Sequence, residues 1–206
     1  MTTFRWPTGC RTSQAVKCSR SYPLIRQNND VQSIDLKTIL ENTVSTGYGD
    51  LVTRHTGRAV RNGIEAMLSQ LDGQQVAVMD FSEVGCLDIS CADEIVGKLL
   101  LGHGHARYFL LRGLTEAHCD AINLVLERHG LAVVTEDRDG QLELLGPLQE
   151  TARRAFGFVA ETGRTAAEEV AARLDLSTDA TRQVLEELLA RRLVRHEDDE
   201  YRVLKV

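Results

Sequence analysis

The sequence predicts an α/β layer, a sheet with helices packed on it, followed by a small helical unit closed by a hairpin. Two observations carry that class. Between residues 30 and 146, apolar runs of strand length alternate with amphipathic helical stretches joined by short connections. After Gly146-Pro147 the strand-length runs stop, and apolar residues recur only at helical spacing until the last dozen positions.

The first element is VQSIDL from Val31, which alternates apolar and polar side chains as a strand does, and the stretch around TVSTGYGDLV carries no clear period. GRAVRNGIEAMLSQL puts Val60, Ile64, Met67, Leu68 and Leu71 on one helix face. QVAVMDF (Gln75 to Phe81) and RYFLL (Arg107 to Leu111) are short continuous apolar runs, the pattern of strands buried on both faces. Helices are expected over Ser90 to Leu101 and Thr115 to His129. LAVVTE and QLELLG form two more strands, joined through Asp-Arg-Asp-Gly as a hairpin.

Beyond Pro147, ARRAFGFVAE is a helix. Thr165 to Asp175 is a second, with Thr165 and Glu168 as a capping box, and Ser177 to Arg192 a third. LVRHEDDEYRVLKV closes as strand, turn, strand. Helix, helix, the short break at Leu174-Asp175-Leu176, helix and hairpin form the layout of a winged helix-turn-helix over residues 148–206.

Charge is unevenly distributed. Of 24 Lys and Arg against 30 Asp and Glu, residues 1–30 hold five basic residues and a single acid, whereas residues 31–148 hold nine basic against seventeen acidic. The acidic body disfavours non-specific attraction to phosphate backbones. Residues 1–29 are polar, basic and aperiodic, which predicts a poorly ordered arm. No apolar run has the length of a membrane span, and five scattered cysteines describe no disulfide framework, so a cytoplasmic protein is expected.

VAVMDFSEVGCLDISCADEIVGKLL resembles the central strand, loop and helix of STAS domains, the fold of anti-sigma factor antagonists, and LVTRHTGRAVR resembles a bacterial STAS-like family of unknown function. The likeness covers about residues 31 to 146 and implies a protein partner, an ATPase-type serine kinase or an anti-sigma protein. In antagonists the helix after the central strand begins with Asp, a phosphorylatable Ser, a second Ser and Gly. Here Asp88 matches the Asp, Ile89 stands at the switch position without a hydroxyl, Ser90 matches the second serine and Cys91 replaces the glycine. The switch is therefore absent at its usual position, and the alternative is a phosphate on Ser90 at the helix N-terminus, which the carboxylates of Asp88, Asp93 and Glu94 would repel. Ser90 reads best as an N-cap with Asp93 as its box partner. Asp88, Ser90, Asp93 and Glu94 together are expected to present an acidic surface to a basic partner.

In the winged-helix reading the third helix enters the major groove, so Thr178, Thr181, Arg182 and Gln183 would face bases of double-stranded DNA. Arg191 and Arg192, with Arg153, Arg154 and Arg195, would meet phosphates. Glu186, Glu187 and the acidic wing HEDDE oppose this, which a homodimer on paired half-sites would offset. The expected function is transcriptional regulation, with the STAS-like module receiving a signal by protein contact and the winged helix binding DNA; the alternative, which the acidic wing suits, is a non-DNA-binding adaptor in an anti-sigma and kinase partner-switching pathway. No cofactor is expected. His103, His105, Cys91, His118 and Cys119 follow no standard metal-ligand spacing, and no Walker loop or G-x-S-x-G elbow is present. Asp80 at a strand end lacks a second carboxylate to work with, which argues against an enzyme. Arg58 and Arg61 read as two solvated arginines.

Overall fold

The structure, a computed structural model, describes residues 31–43, 50–70 and 75–204. The expectations for the arm, residues 1–29, and for most of TVSTGYG lie outside these. Five strands, β1 (Val31–Asp35), β2 (Val76–Asp80), β3 (Tyr108–Arg112), β4 (Val133–Glu136) and β5 (Leu142–Leu145), form one sheet in the order 1-2-3-4-5. The first four are parallel, and β5 returns antiparallel on β4 with Val134 opposite Leu144. The turn between them is held by the Asp137 carboxylate, which accepts the N–H groups of Asp139 and Gln141.

Sequential strand order decides the layers. Crossovers between neighbouring parallel strands are right-handed, so every crossover helix lies on the same face of the sheet. These are α1 (Leu36–Thr43), α2 (Arg54–Leu68), the run from α3 (Ile89–Ala92) through a π-helical turn (Asp93–Gly97) to α4 (Lys98–His103), and α5 (Glu116–His129). They bury Ile34, Ala77, Met79, Phe109, Leu111 and Val133 from that face. The helix α1 carries no expectation from the sequence. It starts because the Asp35 carboxylate accepts the N–H groups of Lys37 and Thr38, and it buries Leu36, Ile39 and Leu40.

The opposite face carries Val76, Val78, Tyr108, Leu110, Val134 and Leu144, which packed helices must also cover. The C-terminal residues supply that cover. Three helices, α6 (Glu150–Thr162), α7 (Ala167–Leu174) and α8 (Thr178–Ala190), stand with a small antiparallel sheet of β6 (Arg164–Thr165), β8 (Glu200–Arg202) and β7 (Arg195–Glu197), in the order 6-8-7. Phe156, Val159, Leu185, Leu188, Leu193, Val194 and Tyr201 share one apolar cluster with the strand residues just named. The two units separated at Pro147 in the sequence are therefore joined by a common core.

Local chemistry explains the helix ends. Thr115 accepts the His118 N–H and Ser177 that of Ala180, each at 3.2 Å. The expected box of Thr165 with Glu168 is shifted by one. Glu169 instead accepts the Ala166 N–H and the Thr165 hydroxyl, because Thr165 belongs to β6 and the helix begins two residues later. Between α7 and α8, Asp175 takes a left-handed conformation with φ of 56°, which turns the chain sharply enough to lay α8 across α7.

Candidate partner and nucleic-acid surfaces

Just past the carboxyl end of β2 the chain returns to itself. Leu51 and Leu87 form a parallel bridge, the Leu51 N–H donates to the Cys86 carbonyl and the Asp88 N–H to that of Leu51. This seats α2 directly beside α3. Gly57 permits the approach, since a Cβ there would stand 3.0 Å from Cys91 Cα and 3.1 Å from Glu94 Cβ.

The cap of α3 is Asp88, not Ser90. Its carboxylate accepts the Cys91 N–H at 2.7 Å and the Ser90 hydroxyl at 2.8 Å. The cap lies two residues upstream because a carboxylate reaches the N3 amide while Ser90 is already inside the helix. Burial disfavours the Asp88 charge, but these bonds outweigh it and leave the carboxyl below its ordinary value. Asp88→Ala is expected to destabilise the protein by about 1 kcal/mol, and Ser90→Ala by less, as read from urea denaturation midpoints. A larger loss from Ser90→Ala would return the cap to the serine. Cys91 beside it is buried, its thiol donates to the Thr53 carbonyl at 2.9 Å, and burial pushes its pKa up to about 12, so it stays a thiol.

Asp93 and Glu94 do not form an acidic surface. Glu94 has 0% exposure and Asp93 7%, because both lie in the π-helical turn on which α2 and α5 pack. Basic side chains meet them there. Arg54 reaches Asp93 at 3.0 Å and Glu94 at 3.1 Å, His129 Nε2 lies 3.0 Å from Asp93, and Lys98 pairs with Glu94. Arg61 points its Nε at Glu94 from 3.6 Å, so it is half-buried in this network and not solvated, while Arg58 remains exposed. Burial works against both acids, yet hydrogen bonds from His129 and Arg54 on Asp93, and from Lys98 on Glu94, hold them below their usual range.

Two large apolar residues are exposed at this end of the sheet, among the exposed polar and charged side chains of Asp50, Thr53, Arg54, His55, Ser82 and Glu83. Val52 and Ile89 are 48% and 49% exposed, on neighbouring segments tied by the Leu51–Leu87 bridge, with exposed Cys86 beside them. Among the sequence-derived partner residues only Asp88 and Ser90 border this patch. The sequence does not single out Val52, Arg54, Lys98 or His129. Lys98 is readable as the fourth residue after Glu94. Arg54 lies 40 positions from Glu94 and His129 lies 36 from Asp93, so neither leaves a local signal.

On α8 the exposed face carries Thr178, Asp179, Arg182, Gln183 and Glu186. Thr181 lies on the opposite side at 0% exposure and cannot meet a base. Arg191 is bound to Glu187 at 3.0 Å. Arg192 donates to Tyr108 Oη at 2.9 Å and to the His105 carbonyl, so it anchors the C-terminal unit to β3 and is not free for phosphate. Arg153 likewise donates to the carbonyls of Leu144 and Gly146, and Arg195 stacks 4.7 Å from the Tyr108 ring. The sequence shows these arginines as a basic set on α6, after α8 and on β7, but cannot show that the sheet lies beneath them. The β7–β8 turn places Asp198 and Asp199 at positive φ, the geometry of a tight hairpin, and Arg202 pairs with Glu197 and Glu200 at 3.3 and 3.5 Å. Tyr201 stands next to α8, where burial and Glu186 raise its pKa and Arg182 lowers it.

Of the histidines and cysteines that could suggest a metal, His118 Nδ1 accepts the Thr115 N–H, His103 faces Glu65 at 4.0 Å and the Cys91 thiol donates to a backbone carbonyl. Among the described residues no group of three or more His, Cys, Asp or Glu is arranged around a common point. Asp80 pairs with Arg112 at 2.8 Å, tying β2 to β3. No described helix is long and apolar enough to cross a membrane. No protein-family model matches the chain, and no curated protein is significantly similar to it.

Proposed function

We propose that this is a cytoplasmic regulatory protein whose STAS-like α/β unit docks a protein partner at the apolar patch of Val52 and Ile89, bordered by Asp88 and Ser90. The observation that carries the reading is that two large apolar side chains remain about half exposed on adjoining segments while the neighbouring carboxylates of Asp93 and Glu94 are buried. An exposed apolar pair with a polar border is what a protein contact uses. The resemblance to antagonist domains makes an ATPase-type serine kinase or an anti-sigma protein the partner class. Ile89 replaces the switch hydroxyl with a contact residue, so affinity here is set by apolar burial and not by a phosphate.

A second reading adds double-stranded DNA. It rests on Thr178, Arg182 and Gln183, which occupy the exposed face of α8 in a helix, helix and hairpin order that fits a winged helix. Asp179, Glu186 and the acidic β7–β8 turn oppose it, so a single copy would bind weakly and a homodimer on two half-sites would be required.

A two-hybrid screen against the source genome's ATPase-type serine kinases and anti-sigma proteins tests the first reading. A partner retained by Arg182→Ala and lost at least tenfold in affinity by Ile89→Asp or Val52→Asp is expected, since a buried charge replaces apolar contact. A partner indifferent to both substitutions would sink it. Enrichment of a common sequence from fragmented genomic DNA, abolished by Arg182→Ala, would establish the DNA reading.

A further inference from the structure

A groove of about 940 Å³ runs along the far edge of the sheet, remote from the Val52–Ile89 patch. One wall is β5, the last strand of the five-stranded sheet, paired on one side only among the described residues; the other is α6, with Val203 and Leu204 also lining it. Its floor is apolar, with Phe156 and Leu144 buried and Leu142 half-buried. Its rim is acidic, with Glu136, Asp139, Glu143 and Glu161 against the lone guanidinium of Arg153, which is already bound to backbone carbonyls.

Gly157 is the unusual residue in the lining. It sits in the interior of α6, where glycine is less favourable than alanine, yet a Cβ added to it would meet nothing within 4 Å. Packing within the described residues gives no reason for glycine there. A chain lying close over α6 would.

We infer that the groove is the docking site of this protein's own N-terminal arm, residues 1–30. The arm has the complementary chemistry. Arg5, Arg11, Lys17, Arg20 and Arg26 face one acid, Asp30, and Phe4, Trp6, Tyr22, Leu24 and Ile25 are interspersed among them. Arginines match the carboxylate rim, aromatic and aliphatic side chains match the floor, and an unpaired strand edge accepts an extended backbone. Reach is sufficient. The arm joins β1, four strand spacings or about 19 Å from β5, and twenty extended residues span about 66 Å. Covalent attachment raises the arm's effective concentration at the groove far above that of a free peptide.

Trypsin supplies the test on the full chain, because every basic residue of the arm is a cleavage site. The rate of the first cut within residues 1–30 is followed by intact mass in the parent, in Gly157→Leu, which fills the groove, and in a Glu143→Lys/Glu161→Lys double variant, which reverses its rim. Thermal midpoints confirm that each variant is folded. Both variants are expected to be cut about tenfold faster than the parent, since cleavage follows the fraction of arm released. Added salt should accelerate the parent and leave the charge-reversed variant nearly unchanged. Equal rates in all three proteins would overturn the inference. Protection that disappears on hundredfold dilution would overturn it too, by assigning the groove to the arm of a second copy.

Discussion

Glu94→Ala is expected to cost about 1.5–3 kcal/mol of stability, because it removes a buried carboxylate that accepts charged hydrogen bonds from side chains still partly open to water. Glu94 has no exposure and answers Arg54, Arg61 and Lys98 at once, with Asp93 sharing Arg54 and holding His129. Glu94→Gln keeps the shape and removes the charge, so it should be destabilised by less. The acids also set a pH dependence. Both have folded pKa values below the unfolded ones, so their contribution is complete above the unfolded values near pH 4 and is lost as pH falls through the folded values. Urea midpoints measured from pH 7 to pH 3 should fall on acidification in the parent and fall less steeply in Glu94→Gln. An alanine variant within 1 kcal/mol of the parent at pH 7 would show the network to be peripheral.

This network also shows why the site is only partly legible in the sequence. Hydrophobic period places the strands of the sheet and most helices, since burial imposes a repeat of two or of about 3.6 residues on the local sequence. It misses α1, which begins within the same alternating run that forms β1 and is started by a single carboxylate. A π-helical turn rotates the residues downstream of it by a fraction of a turn. Asp93 and Glu94 open that turn and are covered by α2 and α5, which pack against it. Nothing in ADEIVG shows this burial, because the deciding partners Arg54 and His129 lie in other elements. The arginines after α8 mislead for the same reason: a charge pattern gives composition and spacing, and the tertiary partner decides whether a guanidinium meets solvent or a tyrosine.

One tension is visible in the sequence itself. QVAVMDF and RYFLL read as strands buried on both faces, yet right-handed crossovers in sequential order cover only one, so a second layer has to come from elsewhere in the chain. Residues 150–204 are that layer, and Phe156 lies in their contact with Val78, Leu110 and Leu144. Phe156→Ala should therefore cost about 3–5 kcal/mol, the range for a large side chain removed from a packed core. A helical unit tethered to an independent sheet would lose protection alone. A shared core predicts that amide exchange speeds up together in α8 and in β2 and β3, with a single unfolding transition at a lower midpoint. Exchange confined to residues 148–204, with the sheet unaffected, would mean that the apolar contact between the layers contributes little. In that case a ligand on α8 could not influence the Val52–Ile89 patch through the sheet. If the layers instead unfold as one, a partner docked at that patch and a ligand on α8 act on the same cooperative unit, which is the physical requirement for either to regulate the other.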